Sequence, residues 1–448
     1  MPFLKHERIT PAQVVILGFL FQILIGACLL SLPVATQSGE RVPFLDALFT
    51  ATSATCVTGL VIHDTALFWS PFGQGVILLL IQVGGMGVVT MAVAIFMFSG
   101  RKIGLKQRWV MQESISAPQV GGIVRMTGFI LKTAFLIEAI GALLLALRFC
   151  PQFGLGKGIW YGIFHAVSAF CNAGFDLMGE TGAFSSLTGY VGDPLVNLVI
   201  CLLIVVGGLG FLTWHDVAAH GRHVSQYRLQ SKLILLTTLA LLVGGFLFFR
   251  FYEFSRPQWA ALTGGERGLA ALFQSVSPRT AGFNTVDLTQ LSACSQLMTI
   301  LLMLAGGSPG STAGGFKTTT LAVLLLSVGA VIRRQGSARC FGRRLPDQVL
   351  RNACAIFLLY LLLFLAGGML ICCMDEIPLM QALFEAASAI GTVGLSLGAT
   401  AEASEASRLI LIFLMYFGRV GGLTMIYAMA AGSNGASSQY PQEQVTVG

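Results

Sequence analysis

One short pattern occurs four times in this chain, and it constrains the fold more than any other feature. Each copy begins with Phe, has Ala or Ser two residues later and Ser four residues later, and reaches a Gly nine or ten residues past the Phe. The copies, FTATSATCVTGL, FHAVSAFCNAGF, FQSVSPRTAGF and FEAASAIGTVGL, start at Phe49, Phe164, Phe273 and Phe384. Their spacings of 115, 109 and 111 residues are too long for a solenoid. The chain is therefore predicted to contain four copies of one unit.

The composition places these units in a membrane. Hydrophobic residues make up 55% of the 448 residues and charged residues 10%, whereas soluble domains carry about 25% charged residues. Each copy lies between apolar runs, and about 20 apolar residues suffice for a membrane-spanning helix. A polar, glycine-bearing segment is tolerated within a membrane only if it lines a cavity or is buried in protein. Each copy is thus expected to form a re-entrant loop.

The unit is predicted to be a span, a short re-entrant helix with its loop, and a second span. This gives an all-α membrane protein with four helix–pore loop–helix repeats and eight spans around a pseudo-fourfold pore. The predicted repeats are 11–100, 119–216, 227–332 and 348–431, followed by a cytoplasmic tail at 432–448. The predicted spans are 11–32, 72–100, 121–147, 194–214, 229–249, 350–373 and 409–430, with an eighth in the run 292–332, which is too long for one helix and is expected to be broken.

Charge predicts the orientation. The regions on the side of the termini hold 16 basic residues and the opposite side 7, so the positive-inside rule places both termini in the cytoplasm. The outer side carries 14 acidic residues and the cytoplasmic side 5. Acids around an outer mouth concentrate cations. The net charge of +7 would suit nucleic acid, but because the basic residues lie in short loops we expect no nucleic-acid partner.

Four copies of one loop around an axis can form a ring of backbone carbonyls, and such rings replace the water shell of potassium. The short helices would also direct their C-terminal dipoles at the cation. No covalent catalysis, cofactor or resident metal is predicted. The twelve predicted filter residues are Val57, Thr58, Gly59, Asn172, Ala173, Gly174, Thr280, Ala281, Gly282, Thr392, Val393 and Gly394.

These residues resemble a known family. ATSATCVTGL, SAFCNAGF, RTAGFNT, GTVGLS and GGSPGSTAGGFKTTT are similar to segments of the Trk/Ktr/HKT superfamily of potassium transporters, most closely the KtrB-type ion-translocating subunit, over nearly the whole chain. The resemblance implies potassium uptake across the bacterial cytoplasmic membrane, one filter Gly per repeat and a homodimer. Gly59 favours potassium, because relatives with Ser there tend to pass sodium. Sodium dependence, with sodium as an activator, stays open.

The resemblance also implies a partner. A cytosolic regulatory ring of the KtrA or TrkA type, with nucleotide-binding domains, is expected to control flux; the nucleotide is not disclosed. The stretch from Arg333 to Arg351 and the loop from Arg101 to Arg125 are candidate docking surfaces, although membrane lipid with anionic headgroups suits them equally.

A second informative stretch breaks the last helix of the third repeat. Glycines at 306, 310, 314 and 315, together with Pro309, cannot continue a helix. It resembles the intramembrane gating loop of the family. Lys317 and Arg419 are cations in apolar surroundings, where charge is costly. They are expected to face the pore below the filter and to raise the barrier for cations when the gate is shut. The predicted gate residues are Gly306, Gly310, Gly314, Gly315, Lys317 and Arg419.

Two other functions fit parts of the sequence. Repeats and broken helices also occur in alternating-access secondary transporters of other small cations or solutes. However, each repeat contains two spans and starts on the cytoplasmic side, and such parallel repeats favour a pore. The loop at 306–320 nearly matches a phosphate-binding motif, but Phe316 stands where Lys should follow the second Gly, so an ATPase is not favoured. A metal site at His215, His220 and His223 is also not favoured, because no acid or Cys completes a known spacing.

Overall fold

The computed structural model describes residues 10–87, 90, 91, 109, 110, 112, 122–422, 424 and 425. Its helices follow one order four times: a long helix, a short helix and a closing helix. The long helices are Pro11–Leu30, Ile123–Phe153, Leu229–Phe248 and Asp347–Asp375. The short helices are Phe44–Thr55, Leu155–Phe170, Gly264–Val276 and Leu379–Gly391. The closing helices are Pro71–Met86, Pro194–Gly208, Ala293–Leu304 and Glu405–Val420.

Smaller elements connect these helices. Two further helices follow the second and third closing helices, at Phe211–His220 and Thr318–Ile332. One-turn helices lie at Thr65–Phe68 and Ala399–Glu402, and a π-helical turn at Phe249–Glu253 extends the third long helix. A two-residue antiparallel hairpin, Arg339–Cys340 with Arg343–Arg344, precedes the fourth long helix. The tail at 432–448 and most of the predicted docking loop from Arg101 to Arg125 lie outside the described residues. Only positions 109, 110, 112 and 122–125 of that loop are described.

The long helices have the length and apolar character of membrane spans. Within the described ranges, four helices pass this test, and a fifth span results if Pro194–Gly208 and Phe211–His220 are counted together despite a bend of 97°. The chain is therefore a multi-pass membrane protein. Eight spans in four repeats remain a prediction, and the order of the helices agrees with it.

Capping residues explain where the closing helices begin. Each of the four starts after a residue whose side chain accepts a hydrogen bond from a backbone N–H of the first turn, namely Ser70, Asp193, Ser292 and Ser404. Such caps satisfy donors that have no partner inside the helix. Pro71 and Pro194 follow as first helical residues, where the missing N–H costs nothing. The same cap recurs because the four units share one local plan.

Glycines explain where the closing helices end. Gly87, Gly210 and Gly421 have φ of +87°, +89° and +89° with ψ near 130–140°, a conformation essentially restricted to glycine. The spans predicted as continuous over 72–100, 194–214 and 409–430 are therefore interrupted in the structure. The third closing helix instead runs into the loop 305–317, as predicted.

The short helices lie in the interior of the protein. Their leading motif residues, Phe49, Phe164, Phe273 and Phe384, have no exposed surface. Full burial of an aromatic side chain stabilises a fold by roughly 1.5–3 kcal/mol. The buried Phe of each copy therefore holds its short helix inside the bundle. Because the four copies share one spacing, the C-terminal ends of the four short helices meet at one central point.

Candidate functional site

The four glycines at the ends of the patterns form a closed ring. A Cβ added to any one of them would overlap the carbonyl oxygen of the residue that precedes the next glycine. These oxygens belong to Ala173 for Gly59, Ala281 for Gly174, Val393 for Gly282 and Thr58 for Gly394. The contacts therefore run in chain order and return from the fourth repeat to the first. A side chain at any of these positions would push two repeats apart.

The backbone around the ring has the same form in all four repeats. The glycines have positive φ, at +93°, +69°, +85° and +94° in chain order. The residues two positions earlier also have positive φ, although none of them is glycine: Val57 at +51°, Asn172 at +60°, Thr280 at +89° and Thr392 at +50°. This conformation is strained for β-branched residues. Four copies of one strained conformation indicate that the surroundings impose it.

The motif serine braces each filter segment from behind. In the first and fourth repeats, Ser53 and Ser388 accept hydrogen bonds from the N–H groups of Gly59 (3.1 Å) and Gly394 (2.9 Å). In the second and third repeats the direction is reversed, since Ser168 and Ser277 donate to the carbonyl oxygens of Phe175 and Phe283. The sequence contained these serines in its repeated pattern, but it did not indicate what they hold.

The third segment differs because it is one residue shorter. In the other repeats the N–H of Thr58, Ala173 or Val393 bonds the carbonyl of the motif serine five residues back, at 2.7–2.8 Å. In the third, Ala281 bonds the carbonyl of Ser277 only four residues back, at 2.9 Å. The ring is therefore only approximately fourfold. Arg279 is buried there, but its Nε has no hydrogen-bond partner within the described part of the chain.

Five of the six predicted gate residues lie in a loop that is directly against the ring, and the sixth, Arg419, contacts this loop. Residues 305–317 separate the helices Ala293–Leu304 and Thr318–Ile332, and a bridge between Ala305 and Phe316 closes the loop at its base. A Cβ on Gly314 would overlap the side chain of Thr392, which belongs to the fourth filter segment. Gly306 packs against Gly314 and Gly315 within the loop. The structure thus brings the loop to one face of the ring.

The second repeat binds this loop through its broken closing helix. The N–H groups of Ser308 and Thr312 bond the carbonyls of Gly208 (3.0 Å) and Gly207 (3.3 Å). In return, the N–H of Phe211 bonds the carbonyl of Gly310 at 2.7 Å. The amide nitrogen of Asn172 also donates to the Thr312 hydroxyl at 2.8 Å. Asn172 is one of the predicted filter residues, so the structure connects this residue of the ring segments directly to the loop.

The two half-buried cations, Lys317 and Arg419, hold the loop through carbonyl groups. Arg419 donates to the carbonyl of Thr312 in the loop and to the carbonyls of Gly84 and Gly85 in the first closing helix, the last at 2.9 Å. Lys317 donates to the carbonyls of Ala313 (2.8 Å) and Gly314 (3.3 Å). Arg419 therefore connects the fourth repeat, the loop and the first repeat.

A cavity of about 670 Å³ lies beyond the loop. Lys317 and Arg419 both line it, as do Gly310 and Gly315, but no acidic residue of the described part does so. The lining is otherwise mostly apolar and includes Phe19, Phe316 and Tyr360. A cation that enters this cavity meets two positive charges and no compensating negative side chain.

A second cavity, of about 410 Å³, lies on the other face of the ring. All four ring glycines line it, together with one acidic residue from each repeat: Asp64, Asp176, Asp287 and Glu402. Burial, together with the nearby charge of Asp64, raises the pKa of Asp176 to about 7, although the N–H of Met178 donates to it. Burial opposes ionisation of Asp287 as well, but hydrogen bonds from Thr289 and Gln290 hold its pKa below the usual range.

The predicted histidine loop is partly helical, because His215 and His220 lie on the helix Phe211–His220. His215 packs edge-on against Phe129, and His220 and His223 contact the backbone carbonyls of Asp216 and His220. Across the described ranges, no three His, Cys, Asp or Glu residues are placed to hold a metal ion.

Comparisons with known proteins identify the family. The family described as "TrkH: Cation transport protein" matches residues 10–440. The chain belongs to this family. Among TrkH-family relatives, the potassium/sodium uptake protein NtpJ of Enterococcus hirae is 40% identical over 99% of this chain and 98% of its own. The Ktr system potassium uptake protein B is 40% identical in Bacillus subtilis and 36% identical in Vibrio alginolyticus, over 97–99% of this chain and 94–98% of theirs.

A solved structure of the TrkH family shows the same fold. The potassium transporter TrkH from Vibrio parahaemolyticus superposes with a TM-score of 0.72 and 20% identity, covering 94% of this chain and 85% of that one. The resemblance expected from the filter motifs is thus confirmed. The relatives are named as transport proteins, in agreement with the expectation that the chain is not an enzyme.

Proposed function

We propose that this chain carries potassium into the cell through the ring of four filter segments. The ring of touching glycines is the observation that supports this best, because it leaves only backbone oxygens around its centre. The names of the relatives, a potassium/sodium uptake protein and two potassium uptake proteins, agree with this ion. With one glycine per repeat, the filter has few layers of carbonyl groups.

Residue roles follow from this proposal. Val57 and Thr58, Asn172 and Ala173, Thr280 and Ala281, and Thr392 and Val393 offer carbonyls, and Gly59, Gly174, Gly282 and Gly394 permit the close approach. Each short helix ends at its filter segment and directs the negative end of its dipole there. The four acids of the second cavity concentrate cations at the entrance. The membrane in question is the bacterial cytoplasmic membrane, with both termini in the cytoplasm and this cavity outside.

The loop 305–317 is proposed to be the gate. Gly306, Gly310, Gly314 and Gly315 let it fold tightly beneath the filter, and Arg419 and Lys317 hold it there. In this position the loop and its two positive charges oppose the passage of a cation into the inner cavity. Opening requires that the bonds from Arg419 to Thr312 and the first repeat be broken or rearranged.

Control of this gate is proposed to come from a cytosolic partner. Three relatives are named as uptake proteins of a Ktr system, which agrees with a separate regulatory ring that binds nucleotide. The exposed arginines of the stretch 333–351 offer one cytoplasmic surface. A homodimer and activation by sodium complete the proposal, and both follow from the family.

Substitution of the ring glycines tests the proposed function. Gly59, Gly174, Gly282 and Gly394 are each changed to Ser in the chain expressed in a bacterium that lacks potassium uptake. We expect wild type to restore growth at low potassium and each variant to lose potassium-over-sodium preference in ion uptake. Gly75→Ser is the matched control, because nothing lies within 4 Å of a Cβ added there. Unchanged preference in all four ring variants would refute the filter assignment.

A voltage-clamp measurement separates a pore from the alternative. The purified chain in a lipid bilayer should pass potassium current that increases smoothly with voltage if the ring is an open path. An alternating-access carrier of another solute should show no such current.

A further inference from the structure

The residue directly after the motif Phe is polar and buried in every repeat, and the proposed function assigns it no role. It is at most 2% exposed in all four copies, which have Thr50, His165, Gln274 and Glu385 at this position. The motif serine follows three residues later, so the two share one face of the short helix. Burial of a polar side chain is costly unless the side chain is hydrogen-bonded. The bonds made at this position therefore indicate what it does.

In the second repeat, this position holds the chain that leaves the ring. The N–H of Leu177, three residues after Gly174, donates to Nε2 of His165 at 3.3 Å. The other ring nitrogen, Nδ1, lies 2.7 Å from the carbonyl oxygen of Tyr161, to which it can only donate. The two contacts therefore require a neutral imidazole with its proton on Nδ1. The imidazole also stacks on Phe283, the residue after the ring glycine of the third repeat, with 6.3 Å between ring centroids.

The fourth repeat makes the same bond with a different side chain. The N–H of Leu397, three residues after Gly394, donates to Oε1 of Glu385 at 2.9 Å. The hydroxyls of Ser396 (2.7 Å) and Thr400 also donate to this carboxyl group. Histidine and glutamate share little besides an acceptor atom near the end of the side chain. The bond to the backbone is therefore what the two repeats have in common.

The bonded segments line the cavity of about 410 Å³ beside the ring. Two residues of each segment lie between the ring glycine and the bonded N–H, and all of them line this cavity: Phe175 and Asp176, and Leu395 and Ser396. Each segment is thus held at both ends, by the closely packed ring glycine and by the bond to the short helix.

The two bonds lie on opposite sides of the ring. Contacts between the ring glycines run in chain order, so the second and fourth repeats are across from each other. In the first and third repeats, no equivalent bond occurs among the described residues. Gln274 instead donates to the Thr299 hydroxyl of the third closing helix, at 3.5 Å. The side of the ring that faces the cavity is therefore anchored along one diagonal.

We propose that His165 and Glu385 are positioning residues that determine ion selectivity. Neither side chain lines the cavity, so each acts through the backbone bond that it accepts. The bonds hold the segments that leave the ring and keep the ring from relaxing around an ion of another size. This role rests on the proposed function, since it requires the ring to be the selective element.

Substitutions that remove only the acceptor test this role. The full chain is reconstituted in vesicles, and the ratio of potassium to sodium uptake is measured by competition. His165→Phe keeps an aromatic ring beside Phe283 but cannot accept the Leu177 N–H, so it should lower the ratio by about fivefold, the value of one hydrogen bond. Glu385→Leu should lower the ratio at least as much. His165→Gln and Glu385→Gln keep an acceptor oxygen and should retain most of the wild-type ratio.

Gln274→Leu is the matched control. It removes a buried bond at the same helical position, but that bond leads to a closing helix and not to a ring segment. It should lower the melting temperature and leave the ratio unchanged. If the two apolar variants do not yield folded protein, His165→Asn and Glu385→Asp replace them, because their acceptors are too short to reach the same N–H groups.

A wild-type ratio in both variants that lack the acceptor would overturn the positioning role alone. An equal loss in Gln274→Leu, or in the two glutamine variants, would contradict it as well, since a merely structural role predicts that result. Unchanged ion preference in Gly59→Ser would instead refute the proposed function, and this role with it.

Discussion

Asp176 has a pKa near neutral pH, and it lies in the cavity of about 410 Å³ beside the ring, which we propose to face the outside. Its pKa of about 7 means that it is charged above this pH and becomes neutral as the external pH falls through it. One negative charge fewer at the entrance reduces the local cation concentration. We expect uptake at limiting potassium to fall by about two- to fourfold between pH 8 and pH 6, a size set by the Coulomb energy at a wet surface.

Asp176→Asn should abolish this pH dependence and give the low rate throughout, measured as initial uptake at several external pH values. Asp287→Asn serves as the comparison, because Asp287 stays charged over the whole range. It should lower the rate without changing the pH profile. A pH profile that persists in Asp176→Asn would assign the titration to another group.

The motif serines are expected to determine selectivity. Removal of one hydrogen bond to the filter costs about 1 kcal/mol, or about fivefold in an equilibrium. Ser53→Ala and Ser168→Ala should therefore each lower the ratio of potassium to sodium uptake by about fivefold, because the filter segment loses its support from behind. Competition uptake measurements give this ratio directly.

Ser275→Ala is a closely matched control for this prediction. Ser275 is two residues before Ser277 on the same short helix, and it donates a hydrogen bond of 2.6 Å to the carbonyl of Leu242, away from the filter. Its loss should cost stability but leave the ion ratio unchanged. A change in the ratio as large as in Ser168→Ala would mean that any loosening of a short helix has this effect.

At the scale of single residues, the sequence predicted which residues form the ring better than it predicted which side chains bond to one another. The ring glycines could be predicted, because a pattern that occurs four times in one chain shows which backbone position recurs. The bond between Asn172 and Thr312 could not be predicted, since the two residues are 140 positions apart and no sequence pattern connects them.

At the scale of helices and loops, the loop 305–317 offers the clearest test of the proposed gate. Arg419 stands where the first and second repeats have Gly85 and Gly208, directly after the first glycine of the same Gly-x-x-Gly segment. Arg419→Gly therefore fits the space and removes the charge-assisted bonds that hold the loop. Loss of such bonds, worth about 1.5–3 kcal/mol each, should increase potassium leak through the resting protein at least about tenfold. Flux from potassium-loaded vesicles measures this leak.

Arg419→Lys separates charge from bonding in the same assay. Lysine keeps the positive charge but cannot reach the loop and the first repeat together with a planar fork. An intermediate leak would show that both contribute, and a leak equal to wild type in Arg419→Gly would contradict the gate.

Helix ends were predicted less well than helix positions. Hydropathy continues through the glycines of the closing helices, so the runs 72–100, 194–214 and 409–430 read as unbroken spans. Three of the four breaks share a Gly-x-x-Gly spacing, at Gly84 to Gly87, Gly207 to Gly210 and Gly418 to Gly421. This signal is visible only when the repeats are aligned with one another. The break around Pro309 was predictable because proline and several glycines occur together there, and both disfavour the interior of a helix.

Gly421 tests whether these breaks depend on glycine. Within the described part of the chain, no atom lies within 4 Å of a Cβ added at Gly421, so Gly421→Ala introduces backbone strain without a clash there. At φ of +89° this should destabilise the fold by about 1–3 kcal/mol. Gly329→Ala, also free of contacts but within a regular helix, should be neutral or stabilising by about 0.5–1 kcal/mol. Thermal unfolding in detergent compares the two, and equal effects would refute the role of φ.

For the whole molecule, the ring requires that the first and last repeats meet, although they are more than 300 residues apart. Arg408 binds Asp46 at 2.7 Å across this seam, and His63 contacts the other carboxylate oxygen at 3.0 Å. The Tyr416 hydroxyl adds a bond of 2.8 Å to the carbonyl of Ile16. The side chains of Arg408 and Asp46 are only 19% and 10% exposed, so the pair is largely shielded from solvent. The seam therefore holds the fourth filter segment against the first.

Breaking this pair should weaken the ring as well as the fold. Arg408→Gln leaves Asp46 buried with only His63 beside it, which should cost about 2–3 kcal/mol, and Asp46→Asn should cost a similar amount. The double variant should recover part of this loss, because no unpaired charge remains. Arg148→Gln, which breaks a pair with Asp193 inside the second repeat, should lower the melting temperature less, since the Arg148 side chain is 40% exposed. Only the seam variants should also lower potassium-over-sodium preference. If Arg148→Gln lowered that preference as much as Arg408→Gln, the closure of the ring would not depend on the seam.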